Sequence, residues 1–89
     1  MPDIKQEILV VDDEPSGVEA VADFLSIEGY QPLVCTHPQE VLASFEKGRF
    51  SLGFVDINLP DMSGLELASK LKEIDPRIEI VFMTGYGTF

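Results

Sequence analysis

Three carboxylates stand where two short apolar runs end. Ile8-Leu9-Val10-Val11 closes in Asp12 and Asp13, and Ser51-Leu52-Gly53-Phe54-Val55 closes in Asp56. Continuous apolar runs of this length are expected of strands buried on both faces. Strands lying side by side would bring the three acids to one edge of one sheet. Carboxylates about 5 Å apart at an effective dielectric of about 20 repel by about 3 kcal/mol per pair, so such a cluster implies a bound cation. Hard divalent ions such as Mg2+ suit it, because they take carboxylate and carbonyl oxygens and keep several waters. Taken singly, Asp12 or Asp13 reads as an acid favoured at a helix N-terminus. The third acid on a neighbouring strand tips the reading toward metal.

The elements that would position these acids alternate along the chain. A strand over about Glu7 to Val11 precedes a helix from about Pro15, with Val18, Val21, Ala22 and Leu25 as its inward stripe and Gly29 as its cap. Tyr30 to Cys35 reads as a second strand, placed at a sheet edge because Pro32 has no N–H for a ladder. Pro38 opens a second helix with Val41, Leu42 and Phe45 inward and Gly48 closing it, and His37 is a residue at the start of that helix, with no His or Cys at ligand spacing. A third strand spans about Ser51 to Asp56. A loop with Pro60, Asp61 and Gly64 follows, Asp61 reading as a turn or cap residue. The third helix buries Leu67, Ala68, Leu71 and Ile74 and stops at Asp75-Pro76. Ile78 to Met83 is the fourth strand. The order β-α-β-α-β-α-β with short connections predicts an α/β fold, a doubly wound parallel sheet with helices on both faces.

In such sheets ligands sit at the carboxyl ends of the strands, near the point where strand order reverses. Asp12, Asp13 and Glu14, then Asp56, Ile57 and Asn58, then Thr84, Gly85 and Gly87 all fall there. Thr84 reads equally as a β-branched residue finishing a strand or as a hydroxyl placed to donate to a phosphoryl oxygen. Gly85 and Gly87 read as turn residues.

Composition removes several function classes. The 89 residues allow one domain, and a formal charge of -10 with six scattered basic residues argues against a nucleic-acid surface. No run approaches the ~18 apolar residues of a membrane span. Cys35 is alone, and Met1-Pro2-Asp3-Ile4-Lys5 lacks the order of a signal peptide, so a reducing cytoplasm is the expected location.

The segments Ile8-Leu9-Val10-Val11-Asp12-Asp13-Glu14, Phe54-Val55-Asp56-Ile57-Asn58-Leu59-Pro60-Asp61-Met62-Ser63-Gly64 and Val81-Phe82-Met83-Thr84-Gly85-Tyr86-Gly87 together resemble the receiver domains of two-component response regulators. The resemblance covers the whole chain in order and spacing. It implies a flavodoxin-like sheet of strand order 2-1-3-4. It also implies that Asp56 accepts a phosphoryl group from a sensor histidine kinase, a phosphotransfer protein or a small phosphodonor. Asp13, the Asp56 side chain and the Asn58 backbone carbonyl would hold Mg2+, with Asp12 acting largely through water, and Thr84 would follow the phosphoryl group to switch the conformation. Such a domain is no enzyme in the usual sense; it assists its own phosphorylation and dephosphorylation.

The chain departs from that pattern in stopping at Phe89, just after the fourth strand. A complete receiver continues through a fourth helix, a fifth strand ending in lysine and proline, and a fifth helix, whereas no basic residue follows Arg77 here. The expectation is a partial receiver over residues 1–89 with weak phosphate uptake and an exposed fourth-strand edge that seeks a partner, such as a second copy. A flavodoxin-type cofactor binder would need a phosphate-cradling loop where Asp12-Asp13-Glu14 stand. A hydrolase with an aspartyl-phosphate intermediate would be expected to carry an acid where Asn58 stands. The closest rival is an unphosphorylated, receiver-like interaction module.

Overall fold

A computed structural model describes residues 6–83; Thr84, Gly85, Tyr86 and Gly87 lie outside them. Seven elements alternate in chain order: β1 (Glu7–Val11), α1 (Pro15–Ile27), β2 (Gln31–Cys35), α2 (Pro38–Ser44), β3 (Leu52–Asp56), α3 (Gly64–Ile74) and β4 (Glu79–Met83). The strands form one parallel sheet, as the alternation predicts, in the order β2-β1-β3-β4 that the resemblance implies. The chain crosses from β1 to β2 on one side and returns to β3 on the other, so the order reverses between β1 and β3.

Strand β1 is apolar throughout its centre because both of its faces are covered. Leu9 and Val11 point into a core with Cys35, Val41, Phe50, Val55, Leu59, Leu67, Leu71 and Ile78. Ile8 and Val10 point the other way, onto Leu25 with Val21, Leu52, Phe54 and Met83 against them. Each fully buried Leu, Ile or Val contributes about 1.5–3 kcal/mol relative to exposure. The period-2 geometry of a strand thus turns four consecutive apolar residues into two half-cores.

Two helix ends differ from the sequence expectation. Helix α2 stops at Ser44, because Phe45 already has extended backbone (φ -73°, ψ 131°), and Gly48 instead supplies a positive φ of 84° in the turn that follows. Ile74 is 41 % exposed rather than buried, since the inward stripe at spacing four runs Leu67, Leu71, Asp75 and leaves Ile74 beside it. Gly29, with φ 92°, follows the end of α1 as a left-handed cap residue should. His37 occupies the N-cap of α2, where its side chain and that of Glu40 form a reciprocal capping box.

At the amino-terminal ends of the strands, Asp75 ties the elements together. Its buried carboxylate accepts N–H bonds from Gly48 at 2.8 Å and Arg77 at 3.1 Å, fixing the end of α3 to the turn before β3. Those two bonds, first Gly48 and then Arg77, hold its carboxyl below the usual range against the opposing effect of burial. Arg49 pairs with Glu7 at 2.5 Å and lies over the Phe50 ring at 5.0 Å.

Candidate metal and phosphoacceptor site

The carboxyl ends of β1 and β3 build the site. Val11 is the register partner of Val55, so the next residues along, Asp12 and Asp56, come level on adjacent strands. The N–H of Asp12 still bonds the Cys35 carbonyl at 3.2 Å and that of Ile57 the Met83 carbonyl at 3.0 Å, which extends the ladder to the acids themselves. One oxygen each from Asp12, Asp13 and Asp56 lies within 4.8 Å of the others. The three acids singled out in the sequence therefore do converge.

Their environments are unequal. Asp56 is 3 % exposed, Asp12 is half-buried and Asp13 faces solvent. Burial pushes the Asp56 carboxyl above the usual range; the Asn58 N–H, 3.0 Å from its Oδ1, opposes this, while a hydrogen bond and the charge of Asp12 add to the rise. Two carboxyl groups this close favour a proton between them, or a cation in its place. The donor set is all oxygen, compact and negative, and so fits a hard divalent ion.

Neither Asp12 nor Asp13 caps α1, whose N-cap is Glu14 without a side-chain bond. Asp12 Oδ1 instead accepts from the Glu14 N–H at 2.9 Å, an Asx turn that orients the carboxylate. Asn58 contributes its backbone N–H to Asp56 and leaves its own side chain exposed. Asp61 is exposed and lines the depression beside Asp13, Asn58 and Met62; the cap of α3 is Ser63, whose Oγ accepts from the Leu65 N–H at 3.1 Å. Thr84 lies outside the described residues.

Two glycines touch the site, and nothing local in the sequence ties them to the acids. Gly64 begins α3 with its N–H on the Ile57 carbonyl at 2.8 Å, and a Cβ there would collide with the Asp56 carbonyl and the Ile57 Cα. The missing side chain lets α3 press onto the backbone that carries Asp56. Gly17, in the first turn of α1, lies against Asp12.

This fold and this acid cluster define a receiver-type domain. Residues 8–89 match the response regulator receiver domain, and the chain belongs to that family. It is 31 % identical over 84 residues to sporulation initiation phosphotransferase F of Bacillus subtilis, covering 94 % of this chain and 68 % of that protein. Of three further curated transcriptional regulators it spans only 30 %, 33 % and 36 %. Among solved structures, response regulator TrrA of Thermotoga maritima in complex with Mg2+-BeF superposes with a TM-score of 0.83 at 36 % identity, over 94 % of this chain and 72 % of that one. TrrA in its complex with the histidine kinase ThkA gives 0.82 at 35 %, over 97 % and 73 %.

Proposed function

We propose that residues 1–89 form one receiver unit in which Asp56 is the phosphoacceptor of a phosphorelay. Asp12, Asp13 and Asp56, with the Asn58 backbone carbonyl, would hold Mg2+. The observation that carries the reading is the convergence of three carboxylates within 4.8 Å, one of them buried at a strand tip. An Asp56 carboxylate oxygen attacks the phosphorus of a phosphohistidine, the new O–P bond forms as the P–N bond breaks, and the imidazole leaves with its electron pair. Bound at the acids, the ion supplies the positive charge that an anion attacking an anion requires. Asp12 and Asp13 hold that charge in place, and the Asn58 N–H fixes the Asp56 rotamer. Thr84, the residue after Met83 in the sequence, would follow the phosphoryl group and bias a two-state equilibrium.

The Mg2+-BeF form of TrrA supports the ion, and the ThkA complex supports a sensor histidine kinase or phosphotransfer protein as partner. No described helix is long and apolar enough to cross a membrane. A cytoplasmic role is part of the proposal, and the formal charge of -10 supports one without direct nucleic-acid contact. Intact mass after incubation with acetyl phosphate tests the assignment. The expected result is a slow, Mg2+-dependent gain of one phosphoryl group that Asp56→Asn abolishes. A gain that survives Asp56→Asn places the acceptor elsewhere, and failure to bind Mg2+ at all leaves the unphosphorylated interaction module as the better description.

A further inference from the structure

Gly17 is an uneconomical choice for its place in the fold. It lies three residues into α1, where glycine is less favourable than alanine, and its φ is not positive, so the backbone does not ask for it. What asks for it is space. A Cβ at this position would lie 2.9 Å from Asp12 Oδ2 and 3.8 Å from its Cγ, the first closer than real Cβ atoms come. The other oxygen, Oδ1, is already committed to the Glu14 N–H at 2.9 Å. The carboxylate is thus gripped on one oxygen by the Asx turn, and its second oxygen takes up the space a Cβ on residue 17 would need.

We propose that Gly17 is a positioning residue for the metal site: the bare first turn of α1 lets the Asp12 carboxylate lie back against the helix while it stays within reach of Asp13 and Asp56. The inference rests on the Mg2+ reading above. The atom a methyl group would meet is the end of a side chain, not backbone. Gly17→Ala therefore leaves the fold intact, favours the helix and turns only the carboxylate. A helix substitution that raises stability while weakening an ion site is the signature of this arrangement, because a purely structural role would move both in the same direction.

Mg2+ titration calorimetry on the full 89-residue chain tests it, with thermal melting in parallel. Gly17→Ala is expected to weaken Mg2+ binding by about tenfold, the low end of what disturbing a ligand's support costs, with a melting temperature in ion-free buffer equal to or above that of the parent. In an Asp12→Asn background the same substitution is expected to change affinity by less than about twofold, since the two act through one carboxylate. Unchanged affinity in Gly17→Ala, full additivity with Asp12→Asn, or a melting temperature well below the parent overturns the inference. A parent chain that binds no Mg2+ would sink the metal reading and this inference together, whereas a binding parent with an indifferent Gly17→Ala variant removes this inference alone.

Discussion

At the scale of single residues, Asp56 illustrates how a site costs stability. Its carboxyl is 3 % exposed and stands above its ordinary range through burial and the neighbouring Asp12, with only the Asn58 N–H in opposition. The folded state therefore holds this proton more tightly than the unfolded state. Stability of the ion-free chain falls as pH rises from the ordinary carboxylate value of about 4 through the raised one. Asp56→Asn keeps an acceptor for the Asn58 N–H and removes the charge. It is expected to raise the ion-free melting temperature by about 4–8 °C, equivalent to about 1 kcal/mol in a domain of this size. Added Mg2+ should stabilise the parent and leave the variant unmoved. A variant that melts below the parent would mean that the acid cluster is not strained. The three acids were legible in the sequence because each ends an apolar run. Gly17 and Gly64 were not, since a close approach between a helix and a strand tip is a fact of tertiary packing that no local pattern announces.

At the scale of elements, the strands were the easiest to read: four uninterrupted apolar residues before Asp12 leave little alternative to a doubly covered strand. Helix ends were harder. Gly48 looked like the stop of α2, but the chain leaves the helix at Phe45, and the glycine's positive φ serves the turn beyond it. Ile74 fitted the inward stripe of α3, yet the position that continues the stripe after Leu71 is Asp75, which is buried while Ile74 is exposed. Asp75 looked like a residue whose only part was to precede a proline, whereas its carboxylate joins α3 to the turn before β3. Because its carboxyl is held below the ordinary range, the folded state binds that proton more weakly than the unfolded one. The stabilisation is complete above about pH 4 and is lost as pH falls through the depressed value. Asp75→Asn should lower the melting temperature at neutral pH by several degrees and flatten the loss on acidification, both read from melts over a pH series. Equal acid limbs for parent and variant would show that the latch carries no linkage.

At the scale of the whole molecule, both faces of the sheet are incompletely covered at β4 among the described residues. Strand β4 is the outer strand among the described residues, and Val81 at 43 % and Phe82 at 41 % exposure point to opposite sides of it. Where nothing else pairs with β4, as the 89 residues would be assayed by themselves, an edge flanked by apolar side chains favours association. Two copies meeting through antiparallel β4 strands centred on Val81 would set Glu79 opposite Met83, so no like charges would face each other directly. Sedimentation velocity should therefore show a concentration-dependent dimer that Val81→Lys disperses. A single monomeric species at all concentrations would count against it.

The ladder that holds Asp12 level with Asp56 has one last implication. Their separation is set by neighbouring interior strands, not by a loop, and β1 has partners on both sides. Urea or warmth should fray the margins of the sheet first. Cation capture should outlast those margins and vanish only with the spine of the molecule, which makes retained magnesium a reporter of the central strands rather than of the periphery.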